Sequence, residues 1–354
     1  MKIAIVNQHI AHIIGGSELQ CDYLALGLAD RGHQITYFAP GRSGRESVER
    51  SYSVICVENT ARSIISELLE TRPDVVYWRY NKHHFREVAE ALAATKIPMV
   101  FAASHINDLL PWAVKPVSGG VRSWPRQFVR KLRARWQHGG FRNVSALITL
   151  NRDLLPLSPV LESHYVPNGM SSESVPFFWP RPYVAWVANI KPAKRPEAFV
   201  EVTQALKEYG IDGLMVGHIQ SGGYEWLEDP EQTPENFHYL GPRTPLEVNG
   251  LLAASRLHVH TCQPEGFGNV YIQAWMQGKP SISLEYDPCG YIVQEGIGDV
   301  CGGDVAKFGE QVVAWAINTE KSTIAGALAK DFANRTFSVD FMVRNVESIL
   351  EKVI

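Results

Sequence analysis

The residues best suited to chemistry lie in the stretch PEGFGNVYIQAWMQGKP, residues 264–280. In it an acid, Glu265, precedes a glycine-rich turn, and an amide, Gln273, follows eight positions later. The run RLHVHTC before the turn predicts a strand, and the run VYIQAWMQ after it predicts a helix. Glu265 is therefore predicted at the carboxyl end of a strand, where open α/β sheets bind ligands.

The start of this predicted helix offers an anion site. Its first backbone amides have no partner inside the helix, and the helix dipole favours negative charge there, such as that of a diphosphate. Gln273 lies about one turn farther along, roughly 5 Å beyond the anion site. The residues expected to bind a diphosphate-bearing ligand at this turn are Gly266, Phe267, Gly268, Asn269 and Val270.

Composition limits the class of protein. A chain of 354 residues with 45% hydrophobic and 20% charged residues and a net charge of −3 is expected to form two soluble globular domains. Its five cysteines are scattered, without a close pair that would suggest zinc or a redox couple. No cleavage site follows the first residues, and no run of about 18 apolar residues occurs. These features predict a cytoplasmic protein without a signal peptide or membrane span.

Short apolar runs alternate with helical patterns, which predicts an α/β fold. Parallel strands are predicted at 2–7, 35–40, 74–79, 98–104 and 146–150, and in a second series at 183–189, 212–218, 256–262 and 280–286. Residues 17–33 predict a crossover helix that ends at Gly32. Its expected buried face is Leu19, Tyr23, Leu24 and Leu28. The Pro-, Gly- and Ser-containing segment 167–182 predicts a linker.

Several motifs in order resemble one family. They are GGSE (15–18), RGH (31–33), RPDVVY (72–77), VPNGM (166–170), WVANIKPAKRPE (186–197), YLGP (239–242) and EGFGNVYIQAWMQGKP. Together they resemble the retaining glycosyltransferases of family 4, which have the GT-B fold, two Rossmann-like doubly wound domains facing a cleft. We expect domains at 1–170 and 171–336, with a C-terminal helix at about 337–354 packing back on the first. The family has a second glutamate where this chain has Gln273.

The resemblance implies roles for individual residues. Glu265 would hold hydroxyls of the donor sugar, and His105, after a predicted strand, would touch the same sugar. The loop with Gly15 and Gly16 would come close to donor and acceptor. Lys194 matches a family lysine that neutralises the leaving diphosphate. The family arginine is replaced by Asn189, so either Lys191 or Arg195 would take its place.

Each role has a structural alternative. Gly15 and Gly16 could make a turn before a helix capped by Ser17. His105 could be structural, and Lys191 and Lys194 could belong to a solvated loop. Gln273 matches the acid that accepts hydrogen bonds from ribose hydroxyls in the family. An amide can still hold a ribose diol, because its carbonyl accepts and its NH2 donates.

The resemblance implies transfer of a sugar from a nucleotide-sugar, a UDP- or GDP-sugar, to a hydroxyl acceptor with retention of configuration. The expected setting is glycan, polysaccharide or glycolipid biosynthesis, with a glycan or a lipid-linked acceptor. Neither a metal nor a cofactor beyond the donor is implied, since the chain lacks an Asp-x-Asp motif. An inactive nucleotide-sugar-binding homologue and a sugar-nucleotide 2-epimerase are the alternatives.

The segment 122–142 is strongly cationic, with no acidic residue between Asp108 and Asp153. In it Trp124, Phe128, Leu132 and Trp136 recur every four residues among arginines. This pattern is typical of helices on anionic membranes and predicts peripheral attachment to the inner membrane face. An amphipathic helix docked on the first domain is the alternative. A nucleic-acid partner is not expected, because no nucleic-acid-binding motif accompanies the charge.

Overall fold

The computed structural model describes residues 1–13, 15–41, 44–46, 50–112, 124–220, 222–262 and 267–354. The chain divides into two compact units. The N-terminal unit comprises Met1–Gly169 and Val339–Ile354, and the C-terminal unit comprises Met170–Ser338. Glu265 and Gly266 lie outside the described residues, so their roles stay predictions from sequence.

An eight-stranded sheet forms the centre of the N-terminal unit, in the order β3-β4-β2-β1-β5-β6-β7-β8. Its strands are β1 (Lys2–Val6), β2 (Gln34–Pro40), β3 (Gly44–Glu46), β4 (Ser53–Val57), β5 (Val75–Trp78), β6 (Met99–Ala103), β7 (Ala146–Thr149) and β8 (Ser163–Tyr165). All neighbours pair in parallel except β3 with β4. Alternate residues of β1 pack into the hydrophobic clusters on opposite faces of the sheet. Ile3 and Ile5 lie on one face, and Ala4 and Val6 lie on the other. Burial on both faces explains why these strands are almost wholly apolar.

Helices cover this sheet. They are α1 (Gly16–Asp30), α2 (Ala61–Thr71), α3 (Phe85–Ala94), α4 (Ile106–Leu109), α5 (Trp124–His138) and, from the end of the chain, α12 (Val339–Val353). The last helix packs closely on α1, where a Cβ on Gly27 would lie 2.5 Å from the Val343 side chain. Glu347 accepts hydrogen bonds from Arg31 and His33, both at 2.7 Å. These contacts place α12 within the N-terminal unit.

The C-terminal unit has a six-stranded parallel sheet, in the order β11-β10-β9-β12-β13-β14. Its strands are β9 (Tyr183–Val187), β10 (Asp212–Val216), β11 (Phe237–Tyr239), β12 (His258–His260), β13 (Ser281–Ser283) and β14 (Gly298–Val300). Its helices are α6 (Pro196–Leu206), α7 (Pro245–Ala254), α8 (Asn269–Met276), α9 (Tyr291–Gln294), α10 (Val305–Ile317) and α11 (Thr319–Thr336). Both units are thus doubly wound α/β layers.

The structure corrects two expectations for α1. Its N-cap is Gly15, whose backbone is extended, so Ser17 lies inside the helix and is not the cap. The expected apolar face is also incomplete, because Leu24 and Leu28 are buried but Leu19 and Tyr23 are only half-buried. Buried polar residues, Gln20 among them, take up part of that face. Every predicted strand is present, whereas β3, β4, β8, β11 and β14 were not predicted.

Candidate active site

The helix start predicted after the glycine-rich turn is present as α8. Gly268 is its N-cap and has φ of +84°, a left-handed conformation that favours glycine. Phe267 before it is buried. The helix is held to the sheet by the Tyr271 hydroxyl, which donates to Ser283 Oγ at 2.9 Å, and by Trp275 Nε1, which donates to Ser281 Oγ at 3.0 Å. The first amides of α8, including those of Asn269 and Val270, are therefore presented from a fixed position.

The lysine loop, residues 191–195, lies beside the strand that leads into this turn. Thr261, directly after β12, donates from Oγ1 to the backbone carbonyl of Lys194 at 2.6 Å and accepts from Trp186 Nε1 at 2.8 Å. Lys194 is also close enough to His260 for its charge to act on that ring. Burial, and then the charges of His258 and Lys194, hold the pKa of His260 well below its usual range. Lys194 thus lies near the carboxyl end of β12.

Lys191 and Arg195, the two candidates for the role of the family arginine, have different surroundings in the structure. Arg195 has φ of +48° and its Nη1 lies 3.5 Å from Glu285 Oε2. Lys191 follows β9 and is exposed, and it makes no ion pair with any other residue that the structure describes. The positive charge of Lys191 is therefore available to a ligand, whereas that of Arg195 already has a carboxylate neighbour.

Gln273 lies within α8 and is half-buried. Its Nε2 donates a hydrogen bond to Asn249 Oδ1 at 3.0 Å. One N–H of the NH2 group is therefore already committed to Asn249, whereas the carbonyl oxygen and the second N–H remain for a ligand. The expectation that this amide holds a ribose diol stays a prediction.

His105 is the N-cap of the single-turn helix α4. Its Nδ1 accepts a hydrogen bond from the backbone N–H of Asn107 at 3.1 Å, and Asp108 Oδ2 accepts from the N–H groups of Ser104 and His105 at 2.8 and 2.9 Å. Because Nδ1 is an acceptor, a neutral His105 carries its proton on Nε2. The structural and functional interpretations of His105 are therefore compatible: one ring nitrogen caps the helix and the other can donate to a ligand.

Gly15 and Gly16 stand at the start of α1. Gly15 is extended, and a Cβ there would collide with the Glu18 carboxylate of the first helical turn. Gly16 begins the helix and is exposed. The Ser17 hydroxyl accepts from Asn7 Nδ2 at 2.9 Å, which ties α1 to the end of β1. The Glu18 carboxylate thus occupies the space that a side chain at position 15 would take.

Sequence reasoning missed Arg79, which directly follows β5 and is buried. Its Nε donates to Ser104 Oγ at 3.2 Å and its Nη2 donates to Asn168 Oδ1 at 2.9 Å. Arg79 therefore braces the residue before His105. The sequence did contain a sign of it, because Arg79 ends the apolar run 74–79 that predicted a buried strand. An arginine is rarely buried unless it is paired.

Two family models match the chain, one in each unit. Residues 14–154 match Glycosyltransferase Family 4, and residues 181–318 match Glycosyl transferases group 1. The chain belongs to the group 1 glycosyltransferases. This confirms the family resemblance drawn from the sequence. A comparison with curated protein sequences found no match.

Solved structures share the fold of this glycosyltransferase over almost its whole length. HepE from Anabaena, in complex with UDP and glucose, is 17% identical with a TM-score of 0.75, covering 99% of this chain and 100% of HepE. Sucrose-phosphate synthase from Thermosynechococcus elongatus is 13% identical with a TM-score of 0.79, covering 100% and 99%. WaaG, a glycosyltransferase involved in lipopolysaccharide biosynthesis, is 16% identical with a TM-score of 0.72, covering 98% and 99%. These likenesses confirm the predicted GT-B fold.

Helix α5 lies within the cationic segment 122–142 of this glycosyltransferase. Phe128, Leu132 and Trp136 are 52%, 46% and 44% exposed, so these side chains are not packed into the protein core. Arg122 and the Trp124 side chain lie outside the described residues. Among the described helices, none is both long and apolar enough to cross a bilayer.

Proposed function

We propose that this glycosyltransferase moves a sugar from a UDP- or GDP-sugar to a hydroxyl acceptor, with retention of configuration and without a metal ion. The observation that carries the proposal is the arrangement at the carboxyl end of β12. There Thr261 holds the backbone of Lys194 beside the strand from which the chain enters the turn before α8. Helix-start amides and a lysine at one strand end suit a diphosphate.

The proposed chemistry is stabilisation of a leaving nucleoside diphosphate. Negative charge grows on the phosphate oxygens as the glycosidic bond to the sugar breaks. The amides at the start of α8 and the ammonium groups of Lys194 and Lys191 would stabilise that charge, which is usually the largest catalytic term. Since Arg195 already faces Glu285, we assign the role of the missing family arginine to Lys191.

The proposed sugar contacts come from Glu265 and His105. The Glu265 carboxylate would accept hydrogen bonds from sugar hydroxyls, and His105 would donate from Nε2. In the retaining mechanism that the resemblance implies, the acceptor hydroxyl attacks the anomeric carbon from the face that the phosphate leaves. A phosphate oxygen takes the hydroxyl proton, so no separate protein base is required.

Similar structures guide the choice of probes. HepE was solved with UDP and glucose, and a trehalose-6-phosphate structure from E. coli, 11% identical with a TM-score of 0.68, holds UDP-2-fluoro glucose. The test is a thermal-shift screen with UDP-, GDP- and ADP-sugars, followed by measurement of nucleotide release in the presence of EDTA. We expect one donor class to raise Tm by mass action and to be hydrolysed slowly. The anomeric configuration of the released or transferred sugar, measured by NMR, tests retention.

A matched variant sharpens this screen. Lys194→Met keeps the length of the side chain but removes its charge, and should lower nucleotide release while the protein stays folded. Binding without release by the unaltered protein would support an inactive homologue. Release of a 2-epimer in the absence of acceptor would support an epimerase. Failure of every nucleotide-sugar to bind would overturn the proposed function.

We also propose that the protein is cytoplasmic and attaches to anionic membranes through α5, with a glycan or lipid-linked acceptor in polysaccharide, glycan or glycolipid biosynthesis. The support is the exposure of Phe128, Leu132 and Trp136 on a helix that contains no acidic residue. Exposed apolar side chains flanked by cations insert into the headgroup region while the cations face anionic lipid. The positive charge and the exposed apolar side chains of α5 thus both favour an anionic membrane surface.

A further inference from the structure

Asn249 lies on α7 and is buried, with 4% of its surface exposed. Its Nδ2 donates to two backbone carbonyls, that of Ser171 at 3.2 Å and that of Glu173 at 2.7 Å. An asparagine amide has two N–H hydrogens, and carbonyl oxygens can only accept. The orientation of this amide is therefore fixed, with the NH2 group towards the carbonyls and Oδ1 on the other side.

This orientation determines that of Gln273. Asn249 Oδ1 is an acceptor and needs a donor, which is Gln273 Nε2 at 3.0 Å. Rotating the Gln273 amide by half a turn would bring two carbonyl oxygens together, which is unfavourable because neither can donate. Gln273 Oε1 must then face away from Asn249. The glutamine, whose amide could in isolation present either end, offers a ligand its acceptor.

We propose that Asn249 is a positioning residue for the nucleotide site, which holds Gln273 so that Oε1 accepts a hydrogen bond from a ribose hydroxyl. This inference rests on the proposed function. Gln273 would contact the ribose, and Asn249 would fix the orientation of the Gln273 amide. Gln273 lies about one helical turn beyond the first amides of α8, where the nucleoside attached to a bound diphosphate would extend. A neighbouring bond, from Gln277 Nε2 to the Ser172 carbonyl at 3.0 Å, ties α8 to the same backbone segment.

The pairing predicts the effect of a carboxylate at position 273. An ionised glutamate has no donor, so it would place two acceptors against each other at Asn249 Oδ1. It would therefore swing away or distort the site. Because the Nδ2 of Asn249 is committed to Ser171 and Glu173, that amide cannot turn to offer a donor without losing both bonds. Gln273→Glu should weaken nucleotide binding although the charge of a carboxylate normally strengthens a contact with a hydroxyl.

The test is calorimetric binding of UDP, or of GDP if the screen above selects it, to four proteins. They are the unaltered chain, Gln273→Glu, Asn249→Ala and the double variant. We expect Gln273→Glu to raise the Kd about tenfold when Asn249 is present and about twofold or less when alanine replaces it, a coupling of the size found for residues in contact. Equal penalties in the two backgrounds would overturn the pairing.

A second measurement needs only Gln273→Glu and so does not depend on the folding of Asn249→Ala. A protonated glutamic acid can donate to Asn249 Oδ1, so the Kd of this variant, divided by that of the unaltered protein, should fall towards one as the pH is lowered towards 5. A ratio that does not change with pH would contradict the proposal. If no nucleotide binds to the unaltered protein, the proposed function fails instead, and the two failures are distinguished.

Discussion

Thr261 Oγ1 lies 2.6 Å from the backbone carbonyl oxygen of Lys194, to which it donates a hydrogen bond. Thr261 Oγ1 in turn accepts a hydrogen bond from Trp186 Nε1 at 2.8 Å. Thr261 and Trp186 are buried, and Lys194 is half-buried. A single hydroxyl therefore connects β9, the end of β12 and the lysine loop. The position of Lys194 depends on a side chain that does not itself need to touch a ligand.

Thr261→Val should lower kcat about tenfold while the protein remains folded. Valine has nearly the shape of threonine, but it cannot donate to Lys194 or accept from Trp186, and it leaves the buried Trp186 Nε1–H without its acceptor. Misplacing a charged catalytic group has a large effect on rate. Thr261→Ser keeps the hydroxyl and serves as the control, with kcat near that of the unaltered enzyme. If valine and serine variants turned over donor equally, the link between Thr261 and the lysine loop would have no catalytic importance.

His105→Asn separates the two ring nitrogens of His105. Asparagine is a strong N-cap and can replace Nδ1 in accepting from the Asn107 backbone, but it lacks the Nε2–H donor. We expect Tm to change little and kcat/KM for the donor to fall by about ten- to a hundredfold, as for loss of a hydrogen bond to a reacting group. His105→Ala should lower both Tm and kcat/KM. Full activity of the asparagine variant would restrict His105 to capping.

The strands that could be predicted from the sequence are those within long apolar runs. The run KIAIV of β1 alternates between two cores, and both faces of its sheet are covered. Strands β11 and β14 have only three residues each, too few to show a period. Strands β12 and β13 are equally short, but they lie within the longer runs 256–262 and 280–286 that predicted them. Strand β4, SVICV, is as apolar as the predicted strands, so its signal was present in the sequence.

Polar contacts between distant residues explain the errors at α1. Gln20 is buried because its side chain exchanges two hydrogen bonds with the Gly169 backbone, 149 residues away. Asp22 is buried because it accepts from Tyr52 and from Arg50. Helical periodicity records apolar spacing along one segment and cannot show such partners. The same limit applies to the Asn249–Gln273 pair, whose members lie on different helices.

Lys191→Met should weaken turnover more than Arg195→Met does. Lys191 is exposed without an ion pair among the described residues, whereas Arg195 lies 3.5 Å from Glu285. Removing a charge that faces the diphosphate should lower kcat/KM about tenfold or more, the scale of a lost charge-assisted hydrogen bond. Kinetics with the donor selected by the screen provide the measurement. A larger loss in Arg195→Met would assign the arginine role to Arg195.

The stability of the fold should decrease in mild acid because of two histidines, His258, which is buried, and His138, which is half-buried. Burial lowers the pKa of His258 to about 3, and burial with nearby cations, Lys82 first, lowers that of His138 to about 4. His258 Nδ1 lies 3.0 Å from Ser281 Oγ, and its Nε2 has no hydrogen-bond partner among the described residues. The folded state therefore holds these rings neutral.

The sign follows from proton uptake. Both folded pKa values lie below the ordinary value of 6.5, so the unfolded chain binds protons first as the pH falls. The stabilisation is complete above about pH 6.5 and is lost progressively towards pH 4, with a slope of at most about 1.4 kcal/mol per pH unit for each histidine. Urea unfolding of His258→Leu between pH 7.5 and 4.5 should show a shallower slope. Trp275→Phe, which removes the other hydrogen bond to Ser281, should keep the slope of the unaltered protein.

The cationic helix α5 provides the last prediction, sedimentation with anionic liposomes that decreases as salt is added. The attraction acts through exposed charges, which salt screens beyond about 8 Å at physiological ionic strength. Phe128→Ser with Leu132→Ser should reduce binding to anionic vesicles several-fold, because each exposed apolar side chain adds burial in the headgroup region. Leu161→Ser, a change at a fully exposed leucine elsewhere in the same unit, is the matched control and should bind as the unaltered protein does. Equal binding to neutral vesicles, or no effect of the double substitution, would mean that α5 is not the membrane contact.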